Sequence, residues 1–572
     1  MPRRSIARTL VPAVCALWAL ALSAVAPQAA GQRASARVPR HAALDTSLFT
    51  HSENCVACHN NLVTPAGEDV SIGSTWRSTM MANSARDPYW QASVRRETID
   101  HPSRSADIQN ECASCHMPMS QRISAAAGAA GNTVFAQLPI AGTDNSDLHR
   151  LAADSISCAL CHQIAPDRLG TPESYNARFV VKPIPPGTPR IIYGPFAIDA
   201  GRQTIMRSVT GYVQAEAPHI RESSFCASCH TLITEAFGPS GEIVGRLPEQ
   251  MNYQEWQHSD FEKERRTCQA CHMPVVPGPV RIASVLGDDR DSLARHVFVG
   301  GNAFMVRMLN RFRVELGVAA QPFELEATTG AALRQLQQDT ARLAVSEPQW
   351  STVRRGRAEG DVRSEAGKTL GFDVEIRNLS GHKFPTGYPA RRAWLHVTVT
   401  DESGRAVFES GALSPAGAID GNDADVNPAS FEPHYETITR PDQVQVYESI
   451  LGDVRGVPTT GLVTATQYLK DNRLLPRGFD KATAEPDIAV HGEARADPDF
   501  GSEGDRVRYE IPLASEGPFT VRVELRYQPI AYRWAHNLES YDAAEPKRFV
   551  SYYTSMSSES SVVVARGQVR TR

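Results

Sequence analysis

Ten cysteines and five histidines recur in this 572-residue chain at a spacing that few chemistries require. They form Cys55-Val-Ala-Cys58-His59, Cys112-Ala-Ser-Cys115-His116, Cys158-Ala-Leu-Cys161-His162, Cys226-Ala-Ser-Cys229-His230 and Cys268-Gln-Ala-Cys271-His272. Two thiols separated by two residues can reach the two vinyl groups of one porphyrin as thioethers, and the adjacent imidazole then lies under the iron as proximal ligand. Each motif reads as the attachment site of one covalent c-type haem. Five such haems are expected, with His59, His116, His162, His230 and His272 on the iron.

Two other readings use the same thiols. Pairs of Cys-x-x-Cys can build four-thiolate zinc sites, and ten cysteines in an exported chain can form disulfides. Neither explains a histidine after every second cysteine when histidine is 17 of 572 residues. The motifs use every cysteine but Cys15, which leaves no thiol for a nucleophile or an iron–sulfur cluster. Cys15 sits in an apolar run from Leu10 to Val25 that follows Arg3, Arg4 and Arg8 and precedes Ala-Pro-Gln-Ala-Ala-Gly. That layout is a secretory signal peptide over residues 1–30. The run is short for a bilayer span, so no transmembrane segment is expected after cleavage, and the expected location is the periplasm or the outer cell face.

Each iron has a second axial position, and what fills it decides between electron transfer and catalysis. Before residue 300 the histidines outside the motifs are His41, His51, His101, His149, His219, His258 and His296. His149 and His219 closely precede Cys158 and Cys226. His101 lies in an Asp-His-Pro turn before the second motif, and His296 opens a segment with Gly300 and Gly301, where small residues allow close approach to a porphyrin. Met80 is the thioether candidate, and a methionine ligand would raise that haem's potential. The expected distal ligands are thus Met80, His101, His149, His219 and His296, with His258 and His382 in reserve.

The elements that position these side chains change character along the chain. Residues 45–300 hold all five motifs, about one for every 45 residues, which is too little polypeptide to bury five porphyrins in separate cores. Short helices and loops wrapped around stacked haems are expected there, and Pro118 and Pro274 should stop their motif helices just after the ligand. Residues 301–348 read as a helical connector, with Leu333, Leu336, Thr340, Leu343 and Ala344 on one face. From 349 to 572 the period becomes two: Leu370, Phe372, Val374 and Ile376; then Leu395, Val397 and Val399; then Phe519, Val521, Val523, Leu525 and Tyr527. This predicts an all-β sandwich. The fold class is therefore α+β and multidomain: a mostly helical and loop-built haem segment, a helical connector and a β-sandwich.

Composition agrees with a soluble globular chain of two or more domains, at 41% hydrophobic and 22% charged residues. The formal charge of −5 becomes three units more negative once Arg3, Arg4 and Arg8 leave with the leader. An acidic surface disfavours nucleic acid and anionic membranes. Other redox proteins are the expected partners.

The five motifs, Trp76-Arg77-Ser78-Thr79-Met80, the Cys-His-Met-Pro endings and Gly381-His382-Lys383-Phe384-Pro385-Thr386-Gly387 together resemble the multihaem c-type cytochromes related to the tetrahaem electron carrier of ammonia oxidisers. That family often places a histidine ligand shortly after such a tryptophan, and Met80 stands there in this chain, which implies a His/Met haem or an open iron. The Gly381–Gly387 segment, with Arg391, Arg392 and Trp394, resembles the C-terminal β-domain attached to many such proteins. It makes His382 a candidate distal ligand or propionate partner, and Arg391 and Arg392 candidate propionate partners. Calcium is a minor expectation at Asp401–Gly404 and in the acidic 420–425 loop. The expected function is one-electron transfer through closely packed haems, without a catalytic side chain. The alternatives are reduction of a small nitrogen or sulfur oxyanion at one open haem, and a haem-bearing structural subunit docked through its β-domain. All five motifs end in histidine, unlike the Cys-x-x-Cys-Lys site of pentahaem nitrite reductases.

Overall fold

Alternation at period two puts Leu370, Phe372, Val374 and Ile376 on one side of the strand Gly367–Asn378, and all four are fully buried. The strand Asp505–Leu513 runs antiparallel to it, with Val507 opposite Val374, Tyr509 opposite Phe372 and Ile511 opposite Leu370. Thr437–Ile438, Ala341–Val345 and Gln349–Val353 complete this five-stranded sheet. A seven-stranded sheet faces it, centred on Arg392–Thr400 and Thr520–Gln528, where Leu395, Val397 and Val399 lie opposite Leu525, Val523 and Val521. The inner faces of both sheets share one core, as a sandwich requires. Each aliphatic or aromatic side chain buried there contributes about 1.5–3 kcal/mol.

The computed structural model describes residues 46–129, 131–139, 146–185, 187–353 and 367–571. The signal-peptide reading, Cys15 and His41 fall outside them. Among the described residues no helix is long and apolar enough to cross a membrane.

The connector is two helices, Ala303–Arg311 and Pro322–Asp339. The second begins with Pro322 at its first position and a box in which Gln321 and Glu324 satisfy each other's backbone N–H groups. It ends at Asp339, short of the face expected to continue through Leu343 and Ala344. The edge of the sheet outcompetes the helical period there: Ala341–Val345 pairs antiparallel with Gly367–Asn378, with Leu343 opposite Ile376. The β-structure thus starts ahead of residue 349.

The segment holding the motifs is built from short helices. Pro88–Asp100 starts where the Asp87 carboxylate accepts the Tyr89 and Trp90 N–H groups, with Pro88 at the first turn. Ser105–His116 and Cys268–His272 both stop at the histidine, and after the first a new helix starts at Pro118. This segment does not stand apart from the sandwich, since residues 43–572 form one compact unit. Pro88–Asp100 packs on Ala544–Met556 near the chain end, where Arg95 pairs with Glu545 at 2.8 Å and Tyr89 meets Phe549 edge-on.

Candidate metal centre

All ten motif cysteines and all five motif histidines line one connected cavity of about 1790 Å³. A site for one drug-sized ligand spans about 300–1,000 Å³, so this space is shaped for several large groups lying side by side. In the second to fifth motifs both cysteines lie in the motif helix, three positions apart on one face, while in the first the helix Ser52–Val56 carries Cys55 and ends before Cys58. The helix Ala200–Thr210 has no buried residue, yet its Ile205, Met206 and Val209 line the cavity, as does Leu286. An apolar wall of this kind fits a porphyrin face.

The imidazoles are oriented by main-chain carbonyls. His59 Nδ1 lies 2.7 Å from Ile282 O, His116 Nδ1 3.1 Å from Ser84 O, His162 Nδ1 2.6 Å from Tyr193 O, and His272 Nδ1 2.5 Å from Val299 O. A carbonyl can only accept, so each Nδ1 carries the proton and each Nε2 keeps its lone pair. Burial lowers the basicity of His59 and His162 and takes His116 and His230 down to about 4. Neutral rings with a free Nε2 are what an axial iron ligand needs. The His116 ring is further fixed by a parallel stack on Trp90, at 4.5 Å between centroids.

The thiols do not assemble a zinc site. Among the described residues the group of three or more acidic, histidine or cysteine ligand atoms within metal-binding reach is His434, Asp497 and Asp505, inside the sandwich. Its chemistry points away from a metal. Gln445 Nε2 and Asn472 Nδ2 both donate to His434 Nδ1, at 2.9 and 3.1 Å, so the ring proton sits on Nε2 and is given to Asp497 at 3.0 Å. The motif thiols instead perturb one another in pairs from different motifs: Cys55 with Cys158, Cys115 with Cys229, and Cys226 with Cys268. Cys226 also feels Cys161. Burial pushes the Cys161 thiol up to about 12, so it stays protonated at neutral pH and is no ready thiolate ligand. These contacts make motifs one and three, two and four, four and five, and three and four spatial neighbours.

Besides the motif histidines, His296, His382 and Met80 line the cavity, and His101, His149, His219 and His258 do not. His296 Nδ1 is 3.0 Å from Ala294 O, and burial followed by the nearby His162 takes the ring down to about 4. His382 Nδ1 is 2.9 Å from Lys383 O, and its ring lies 6.2 Å from that of His272 with 13° between planes. The space between these two rings would admit one metal ion, which His272 and His382 would then hold together. Met80 follows Trp76, whose Nε1–H donates to Ile156 O at 3.1 Å, and Arg77, which pairs with Glu324 of the connector. The other four histidines present Nε2 to a protein oxygen: His101 to Thr464 Oγ1 at 3.0 Å, and His149, His219 and His258 to Leu138, Ile164 and Asp480 carbonyls, each at 2.9 Å.

Arg391 lines the cavity, donating to Thr386 O at 2.6 Å. Arg392 does not reach it, contrary to the expectation for propionates, because it is buried in the sheet as a bidentate partner of Asp425 at 2.8 Å. The calcium expectation also changes: Asp401 caps the Ser403 and Arg405 N–H groups, and Asp425 is used by Arg392.

Behind His382 lies a network that residue spacing did not show. Glu255 accepts the Lys383 N–H at 3.1 Å and the Thr386 hydroxyl at 2.6 Å, and Lys383 Nζ pairs with Asp471 at 2.7 Å. Arg473 pairs with both Asp471 and Glu255. Lone charged residues scattered over some 200 positions carry no local signal of such an assembly, and neither do the carbonyls that orient the motif histidines.

No protein-family model matches the chain, and no curated protein matches it. Among solved structures it is similar to a penta-heme cytochrome c552 from Thermochromatium tepidum, with a TM-score of 0.47 and 17% identity over 92% of this chain and 99% of that chain.

Proposed function

We propose that the chain is an exported multihaem c-type cytochrome that holds five haems and passes single electrons between redox proteins. The observation that supports this most directly is the shared cavity, lined by all ten thiols and all five imidazoles, with four imidazoles presenting Nε2. Haem, when bound, supplies the one-electron iron couple. The protein contributes the rest: cysteines that tether each porphyrin, carbonyls that fix the ring tautomers, and apolar walls that exclude water. His296, His382 and Met80 are the proposed distal ligands facing the cavity, with His101, His149, His219 and His258 requiring rearrangement to serve. The β-sandwich supports His382 and gives a docking face. The five motifs, Trp76–Met80, the Cys-His-Met-Pro endings and Gly381–Gly387 support, in this reading, a likeness to the relatives of the tetrahaem carrier of ammonia oxidisers.

A second reading rests on the supply of side chains. Among the described residues only three of the expected distal ligands line the cavity, against five motifs. An iron without a sixth side chain binds small molecules, which would make the protein a reductase of a small nitrogen or sulfur oxyanion. Low-temperature EPR of the purified holoprotein, with haem counted as the pyridine haemochrome, tests both. Five haems with low-spin signals alone support electron transfer. A high-spin signal that shifts on adding nitrite or hydroxylamine supports the reductase, and fewer than five haems overturns the central reading.

A further inference from the structure

Three carboxylates converge beside the second motif. Glu97 comes from Pro88–Asp100, Glu111 from Ser105–His116 and Glu249 from the strand Ile243–Met251, and all three line the cavity. Glu97 and Glu249 are buried. The Cys112 thiol feels all three charges after its own burial, and Glu249 feels the other two. Carboxylates taken out of water with no cation in direct contact hold their protons more tightly, and burial raises Glu97, Glu111 and Glu249 alike. Among them, burial pushes Glu249 up to about 7.

Resting on the five-haem reading, we propose that Glu249, with Glu97 and Glu111 beside it, is a proton-binding site that couples electron arrival at the Cys112/Cys115 haem to proton uptake. One electron enters from a one-electron donor, one proton passes from solvent to the Glu249 carboxylate, and the O–H bond of the acid is the bond that forms. The added negative charge in a poorly screened interior favours the protonated acid, and by linkage proton uptake favours reduction.

The groups facing the site set its range. Thr234 donates to Glu249 at 2.6 Å and Gln250 lies at 3.4 Å, both favouring the ionised form. Leu462 N–H donates to Glu97 at 2.8 Å, with Arg96 and Asp100 acting on it from its own helix. Asn176 donates to Glu111 at 3.3 Å, with Glu235 and Arg178 acting from other segments and Asp107 from its own helix. The Tyr388 and Tyr468 phenols feel Glu249 from the sandwich side.

The test is a spectropotentiometric titration of the holoprotein from pH 5 to 9, for wild type, Glu249→Gln and Thr234→Val. In the wild type one potential falls as pH rises through neutrality, by at most about 59 mV per tenfold change in proton concentration. Glu249→Gln flattens that slope with five haems retained. Thr234→Val, which removes a bond to the ionised form, moves the slope to higher pH. A wild type with no slope, or a slope unchanged in both variants, overturns the proposal. If Glu249→Gln does not assemble, the wild type and Thr234→Val decide alone. A haem count below five in the wild type would instead refute the five-haem reading.

Discussion

His272 and His382 differ in origin: one ends a Cys-x-x-Cys-His helix, the other sits in a loop of the sandwich, and their rings face each other at 6.2 Å. If both hold the same iron, replacing His382 by alanine should turn one low-spin signal in five into a high-spin one and leave the other four in place. Low-temperature EPR of the variant reads this directly, and an unaltered spectrum would remove His382 from the ligand set. His382 was legible as a candidate because the Gly381–Gly387 segment that carries it resembles a β-domain attached to many multihaem cytochromes. Its pairing with His272 was not, because nothing in the local spacing of either residue reports the distance between them. The carbonyls of Ile282, Ser84, Tyr193 and Val299 are a harder case still. Every residue has such an oxygen, so side-chain identity carries no trace of the one that is used.

At the scale of elements, the loop that carries His382 is fastened by buried charge. Burial alone would raise the Asp471 carboxyl, but Arg473 and Lys383 outweigh it and hold the group below the usual carboxylate range. A depressed carboxyl contributes stability that is complete above its unfolded value, near 3.9, and is lost only as pH falls through its lower folded value. Asp471→Asn should therefore cost about 3–5 kcal/mol at pH 7, since it strands the buried Lys383 ammonium and leaves Arg473 with Glu255 alone. The difference from wild type should persist at pH 5 and shrink only in stronger acid. Denaturant midpoints at pH 7, 5 and 3 check this, and equal midpoints at pH 7 would show that the network adds nothing. The strands themselves were plain from alternation, as at Leu370 to Ile376, because one face of each is buried against the opposing sheet. The end of the connector was not. Leu343 satisfies a helical and a strand period alike, and only the unpaired edge of Gly367–Asn378 decides between them.

Across the whole molecule, motifs far apart in sequence become neighbours, and their thiols are close enough to perturb one another: Cys55 with Cys158, Cys115 with Cys229 and Cys226 with Cys268. Thioether formation uses up these sulfurs. A chain that folds in an oxidising compartment before haem reaches it has the same sulfurs free and close together, and an oxidant will join them. In the five-haem reading, haem delivery therefore races against cross-linking. Chain exported without haem attachment should lose two hydrogens for each of these pairs, with peptides linking Cys55 to Cys158 and Cys226 to Cys268 in a non-reducing digest. The arrangement that would let electrons cross from motif to motif in the proposed holoprotein is, during maturation, the one that would seal its own attachment sites.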